Sequence, residues 1–122
     1  MASYRLSDTA KADIIDILAW TQERFGEAAR LRYETLIVAA IRDIAENPSR
    51  PGSSGRPELG AGARSWHLRH SRDSVGTSVG VVRQPRHFII FRIGPTGRPE
   101  IARILHDAME LQLRRPALRD WP

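Results

Sequence analysis

The stretch His87-Phe88-Ile89-Ile90-Phe91-Arg92-Ile93-Gly94-Pro95-Thr96-Gly97-Arg98-Pro99-Glu100-Ile101-Ala102-Arg103-Ile104-Leu105-His106 decides the fold. Its first seven residues are rich in β-branched and aromatic side chains, which suit a pleated strand. Pro95-Thr96-Gly97-Arg98 reads as a turn, and Glu100 to His106 as the returning strand. With Thr96 and Gly97 at the tip of a two-residue hairpin, Phe91 faces Ala102, Ile89 faces Ile104 and His87 faces His106. Ile89, Phe91, Ile93, Ala102 and Ile104 then share one apolar face. Phe88, Ile90, Arg92, Ile101, Arg103 and Leu105 share the other. A slip of one residue would mix the two sets, so the segregation supports the register. The second face has two arginines among apolar groups and no helix assigned to cover it. Exposed Phe88, Ile90 and Leu105 are unfavourable on a free monomer, so the face predicts a partner. The competing reading is a solvated face on which arginine stems cover apolar surface.

Working back toward the N-terminus, two helices supply the cover for the first face. Tyr4-Arg5-Leu6 is a short strand. Ser7 is a good N-cap, and Asp8 lies in the first turn, where the helix dipole favours negative charge. Ile14, Ile17, Leu18, Thr21 and Phe25 fall at helical spacing, and Gly26 ends the helix. Tyr33, Leu36, Ile37, Ala40, Ile41 and Ile44 form the stripe of a second helix, which Asn47-Pro48 stops. Two helices joined by about one residue form an antiparallel hairpin.

Residues 47–63, rich in Pro, Gly and Ser, read as a loop. Arg64 to His70 alternates as a strand, with Trp66 and Leu68 on one face. Residues 71–80 are polar and glycine-containing, with Val79, Val81 and Val82 adding a little strand at the end. Asp107 can cap a short C-terminal helix carrying Met109, Leu111 and Leu113, which Pro116 ends. Helices grouped first and strands after predict an α+β fold over residues 1–122. Its order is β-α-α-β-β-β, a helical hairpin on one face of an antiparallel sheet, with the short C-terminal helix added.

Composition narrows the function. The chain has 122 residues, 41% of them apolar, and no cysteine. Disulfides, thiolate metal sites and a cysteine nucleophile are excluded, which suits a reducing cytosol. No segment is apolar enough to span a membrane, and Met1 to Ser7 lacks the pattern of a secretory signal. These features predict a cytoplasmic protein. The net charge is +5, and Lys11 is the one lysine among nineteen basic residues. Arginine forks bind carboxylates and phosphates, so an acidic partner is the natural reading. A GC-rich genome explains the bias for arginine equally well.

Catalytic signatures are sparse. His67 and His70, three apart on a strand, point to opposite faces, so no metal site is predicted. No Gly-rich phosphate loop precedes a helix and no G-x-S-x-G element occurs, so no cofactor or serine nucleophile is predicted. Asp13 and Asp16 lie on the wet face of the first helix. His87 and His106 face each other and could act as acid and base on a phosphodiester. The preferred reading is that they close the sheet edge by hydrogen bonding.

Several segments together resemble the ParE branch of the ParE/RelE toxin superfamily of type II toxin–antitoxin pairs. They are Tyr4-Arg5-Leu6-Ser7, Trp20-Thr21-Gln22-Glu23-Arg24-Phe25-Gly26, Ala45-Glu46-Asn47-Pro48, Gly62-Ala63-Arg64-Ser65, Arg86-His87-Phe88-Ile89-Ile90-Phe91-Arg92 and Arg103-Ile104-Leu105-His106-Asp107-Ala108-Met109. The last resembles the family's R-V-L-H segment. The resemblance implies a cognate ParD-like antitoxin that wraps the toxin in a hetero-oligomer, and DNA gyrase as the target. Nucleic acid would be touched only indirectly. On this reading the antitoxin meets Ile17, Trp20, Phe25, Leu31, Val38, Phe88, Arg92 and Arg103. Trp20 lies off the main stripe of its helix, and packing against the C-terminal helix is the alternative use for it. The target meets Arg103, His106, Met109, Arg114 and Arg115.

The RelE branch cuts mRNA on the ribosome with a cluster of Lys, Arg, Tyr, His or Glu groups. Here Arg92, Arg103 and His106 are the candidates for that activity, but the rest of the set is missing. Tyr4 and Tyr33 lie on the first strand and second helix, and Lys11 on the first helix. The ParE reading, with no catalytic residue, is therefore favoured over the ribonuclease and over a non-toxic interaction module. Residues 70–85 look like a loop insertion relative to shorter ParE proteins. They either extend a binding surface or form an unstructured loop.

Overall fold

The computed structural model describes residues 3–76, 80–108 and 121–122. Strand β1 (Arg5–Leu6) leads through Ser7 into α1 (Asp8–Phe25), and Gly26 separates it from α2 (Glu27–Glu46). Strands β2 (Ser54–Gly55), β3 (Arg64–His67), β4 (His87–Ile93) and β5 (Pro99–His106) follow. They form one five-stranded sheet in the order β1-β5-β4-β3-β2.

The start of α1 follows its sequence signal. The Ser7 hydroxyl oxygen accepts the Ala10 N–H at 2.9 Å, satisfying one of the unpaired donors of the first turn. Gly26 ends the helix with φ +93°, a conformation that side-chain-bearing residues resist. The chain can then reverse within one residue, and α2 returns antiparallel with Tyr33, Leu36, Ile37, Ala40, Ile41 and Ile44 buried. These side chains meet Trp66, Leu68, Ile89, Phe91, Ile101 and Ile104 in the main core.

Four corrections to the sequence reading concern the sheet and its ends. First, the sheet is mixed. Strands β2 to β5 are antiparallel, but β1 pairs parallel with β5, Arg5 opposite Glu100 and Leu6 opposite Ile101. The helical hairpin carries the chain from β1 to the far edge at β2, and three further antiparallel strands bring β5 back beside β1 in the same sense, which a two-residue strand cannot reveal on its own.

Second, the expected hairpin register holds only at its open end. His87 pairs with His106, Phe88 with Leu105, Ile89 with Ile104 and Ile90 with Arg103. A bulge then shifts the ladder, so Phe91 faces Ile101 and not Ala102, and Ala102 is the extra residue. Ile101 therefore joins the main core, and Ala102 crosses to the other face. The first helix holds this irregularity in place. The Ser7 hydroxyl donates to the Ala102 carbonyl at 2.8 Å, and the Asp13 carboxylate accepts the Ile104 N–H at 3.0 Å.

Third, the second sheet face is not open. Phe88, Ile90 and Leu105 are 7%, 0% and 3% exposed. They pack with Ala102, Leu59, Ala63 and the partly buried Trp121 in a second cluster. The loop over residues 47–63 folds beneath the sheet, where a 3-10 turn at Pro57–Leu59 inserts Leu59. Its Pro and Gly content showed a loop but not which surface the loop would cover.

Fourth, the expected strand to His70 stops at His67 and becomes a 3-10 helix, Leu68–Ser74. The first part of the presumed insertion, residues 70–74, is thus packed structure. Asp43 on α2 accepts hydrogen bonds from Ser71 Oγ at 2.7 Å and Ser74 Oγ at 2.8 Å. Ser71 Oγ in turn accepts the Trp66 indole N–H at 2.9 Å. Val81 and Val82 are not in a strand. Most of the expected C-terminal helix lies outside the described residues, and Asp107 and Ala108 form a turn.

Candidate partner-binding site

At the junction of α1 and α2 the helices overhang the open end of β4 and β5. The segment from Val81 to Arg86 runs across the gap. Together they enclose a pocket of about 370 Å³. Trp20, Phe25, Ala29, Val81 and Val82 supply apolar walls, and Tyr33, His87 and His106 lie on the strand side. Arg32, Arg83 and Arg86 supply the charge, and no aspartate or glutamate lines the pocket.

The strand side is a chain of hydrogen bonds. The Tyr33 oxygen accepts the Arg86 backbone N–H at 3.2 Å and lies 2.6 Å from His87 Nδ1. Burial pushes the Tyr33 phenol up to about 12, so at neutral pH it is a donor. Burial, helped by the nearby His106, pushes His87 down to about 4, so its ring is neutral. A phenol donating to Nδ1 puts the imidazole proton of His87 on Nε2. The His106 ring meets that of His87 edge-on, with centroids 5.2 Å apart, as the facing positions required. Nδ1 of His106 accepts the Ala108 N–H at 3.0 Å.

Beside the histidines, Asp107 gathers His67 Nε2 and Arg86 Nε, each at 3.0 Å. Burial raises the Asp107 carboxyl, but these two hydrogen bonds outweigh it and leave it below its usual range. Sequence reasoning set Tyr33 aside because it lies on the second helix. Its position on the strand-facing stripe of that helix was the available signal that it could reach the sheet.

The expected site residues separate into four groups. Trp20 and Phe25 are 51% and 67% exposed at the pocket mouth, in edge contact with centroids 5.7 Å apart. Leu31 and Val38, two turns apart on α2, are 42% and 48% exposed. Ile15, which the sequence reading left out, is also exposed on α1. It lies off the Ile14-Ile17-Leu18 stripe, and that offset could have identified it.

Two expected surface residues are not on an open surface. Ile17 is partly buried against the main core, and Phe88 lies in the second cluster. The two arginines do not share an open face either. Arg92 Nε binds Glu100 at 2.9 Å, and its guanidinium lies 4.4 Å from the Trp121 ring. Arg103 turns to the first helix and binds both Asp13 oxygens, at 2.8 and 3.1 Å. His106 is at the opposite end of the hairpin from Arg92, so Arg92, Arg103 and His106 do not converge on one point. Met109, Arg114 and Arg115 lie outside the described residues.

Among the described residues no three His, Cys, Asp or Glu side chains gather as a metal site. No helix among them is long and apolar enough to cross a membrane.

Fold and pocket together define a basic two-layer α+β protein with an exposed mouth of aromatic and cationic side chains. Residues 4–111 match the family described as ParE toxin of type II toxin-antitoxin system, parDE. The chain is also similar to Toxin ParE1 of Caulobacter vibrioides (strain ATCC 19089 / CIP 103742 / CB 15). The two are 34% identical over 111 residues, covering 89% of this chain and 93% of the relative. The chain belongs to the ParE toxin family of type II toxin–antitoxin systems.

Proposed function

We propose that this toxin acts by binding DNA gyrase and is silenced by a ParD-like antitoxin laid along its helical hairpin. Neither step uses a catalytic residue of the toxin. The observation that carries the antitoxin half is the set of exposed apolar side chains on the hairpin, Trp20, Phe25, Leu31 and Val38. Such side chains lose hydration free energy until a partner covers them. The net charge of +5 favours an acidic partner and speeds its approach.

Binding without catalysis is supported by the state of the side chains that a ribonuclease would need. Arg92 and Arg103 are each committed to an internal carboxylate, His106 lies at the far end of the hairpin from Arg92, and burial holds His87, which faces His106, neutral. A general base works best with a pKa near the working pH, far from that of His87. Gyrase as target follows the family resemblance.

Purified toxin added to gyrase in a plasmid supercoiling assay tests the reading. Supercoiling is expected to fall, and to recover on adding the antitoxin encoded by the adjoining reading frame. Normal supercoiling, with codon-positioned mRNA cleavage seen by primer extension after brief induction, would replace it with the ribonuclease.

A further inference from the structure

We infer that the toxin touches duplex DNA directly, through a row of arginines, Arg69, Arg72, Arg83 and Arg86, that grips the phosphate backbone without reading sequence. The choice of duplex DNA over other polyanions rests on the gyrase reading above, because that enzyme works on duplex DNA. The arginine row itself does not depend on it.

The 3-10 helix Leu68–Ser74 sets the direction of the row. Such a helix has three residues per turn, so side chains three apart lie above one another. Ser71 and Ser74 form the inner line, since both bond the Asp43 carboxylate on α2. His70 and Asp73 form a second line, on the side where the His70 ring lies against Gly52 and Trp66. Arg69 and Arg72 form the third, and both are exposed. The Arg72 guanidinium donates to the Arg83 carbonyl at 2.6 Å, so this third line faces the segment that leads into β4. His67, two residues before Arg69, shares the Asp107 carboxylate with Arg86. The four arginines therefore border one surface, where β3 ends and β4 begins.

The charge of that surface is one-sided. Residues 68–86 contain four arginines and a single carboxylate, Asp73. Asp73 stands on the His70 line, turned away from Arg72. Arg86 is offset by Asp107 at 3.0 Å and adds donors with little net charge. Arg69 and Arg83 have no ion-pair partner among the described residues, and Arg72 bonds a backbone carbonyl only. Burial lowers the His70 imidazole first, and the charges of Arg69 and His67 lower it further, which marks the surroundings as positive.

The chemistry around the row favours phosphate over protein. A protein interface is centred on apolar or aromatic anchors. Among the described residues of 68–86, Val81 is the one exposed large apolar side chain, and it belongs to the pocket with Trp20 and Phe25. Arg69 and Arg72 lie outside the lining of that pocket, so the row extends beyond the apolar surface assigned to the antitoxin. Guanidinium forks without an apolar centre suit phosphate oxygens, which take most protein–DNA hydrogen bonds. A single strand is less well served, because unpaired bases need free rings to stack on. Trp66 is buried, and the His70 ring already lies against it. Arg72 and Arg83 both fall in the segment read as an insertion, so on this inference the insertion extends the binding surface.

Fluorescence anisotropy of the full toxin with a short labelled duplex of mixed sequence tests the inference. Three net cations, Arg69, Arg72 and Arg83, predict that log affinity falls with log salt at a slope of about −2.7. Arg69→Gln with Arg72→Gln is expected to weaken binding by at least about tenfold and to bring the slope to about −0.9. Arg69→Lys with Arg72→Lys keeps the charge and is expected to keep the slope and most of the affinity.

Wild-type toxin that leaves the duplex unbound, or a glutamine pair that binds it as tightly as the wild type, overturns the inference. Equal loss in the lysine pair would show that charge is not the cause, and overturns it too. A polyglutamate peptide that displaces the duplex at equal charge concentration replaces DNA with an acidic protein. A single-stranded RNA that binds more tightly than the duplex replaces it with RNA. Supercoiling in the presence of wild-type toxin judges the gyrase reading separately. Inhibition without duplex binding sinks the DNA contact alone, and duplex binding without inhibition sinks the gyrase reading alone.

Discussion

Arg103 on β5 and Asp13 on α1, ninety residues apart in the chain, form a two-pronged ion pair with contacts of 2.8 and 3.1 Å. The same carboxylate accepts the Ile104 N–H. Asp13 thus caps the strand irregularity that begins at Ala102, and Arg103 holds the carboxylate in place. The pair is largely screened from water, so neither charge is recovered by solvent when the other is removed.

Asp13→Ala is therefore expected to destabilise the protein by about 2–3 kcal/mol, the range for losing a charged hydrogen-bond group with a partner left behind. Urea unfolding followed by tryptophan fluorescence measures it. Arg103→Ala should cost a similar amount, and any loss of toxicity should follow the loss of folded protein. Full stability with abolished toxicity would return Arg103 to the target-binding surface.

The burial of His87 predicts a pH dependence of stability. His87 titrates near 4 when folded and near 6.5 when unfolded. Between those values the unfolded chain binds the extra proton, so stability rises with pH across that window. The contribution is fully present above about pH 6.5 and is lost as pH falls toward 4, roughly 3 kcal/mol in all. Asp107, whose carboxyl is lowered by His67 and Arg86, adds a further loss in more acid solution. Urea midpoints at pH 7 and pH 4.5 should differ in the wild type and converge in His87→Phe. Equal slopes in both proteins would show that His87 is not buried neutral.

Tyr33→Phe removes the hydroxyl bonded to His87, which is also the acceptor of the Arg86 N–H, while keeping the ring. The expected cost is about 1–2 kcal/mol. In the wild type, nitrogen NMR should find the His87 proton on Nε2 over the neutral range. A proton on Nδ1 would reverse the direction of the bond.

Asp43 predicts a local effect. Its carboxylate accepts from Ser71 and Ser74 and fastens the 3-10 helix at Leu68–Ser74 to α2. Asp43→Ala leaves both hydroxyls without that acceptor and frees Ser71, on which the Trp66 indole N–H rests. Amide exchange over residues 68–76 should accelerate by about tenfold or more, with a smaller change in the strand pair β4–β5. Uniform acceleration would mean that the 3-10 helix unfolds only with the whole protein.

Trp20 separates binding from stability. It is half exposed, with Phe25 against one edge and Arg24 near its face. Trp20→Ser is expected to cost less than about 1 kcal/mol of stability. It should weaken antitoxin binding by about tenfold or more, as a central aromatic contact does. A large stability loss with unchanged affinity would make Trp20 a packing residue.

Local signals determined much of this molecule. Ser7 before Asp8, the apolar stripe of α2 and Gly26 between the helices specify a helical hairpin, because caps, periodicity and φ > 0 are properties of neighbouring residues. The ladder from His87 opposite His106 to Ile90 opposite Arg103 was likewise legible, since alternation along two strands has one register that segregates the faces. Exposed Trp20, Leu31 and Val38 lie off the stripes read from the sequence, whereas Phe25 fell on the stripe of α1 and only the structure shows it exposed.

Only the tertiary structure decided the rest. Ala102 became the extra residue because Ser7 and Asp13, distant in sequence, supply the hydrogen bonds that hold the bulge. The face carrying Phe88 and Ile90 was buried because a loop without periodicity folded under it. The phenol of Tyr33 met His87 because packing the hairpin on the sheet placed it there. Each of these depends on a contact between distant segments, and the free energy of such a contact exists only once the chain has closed the loop between them.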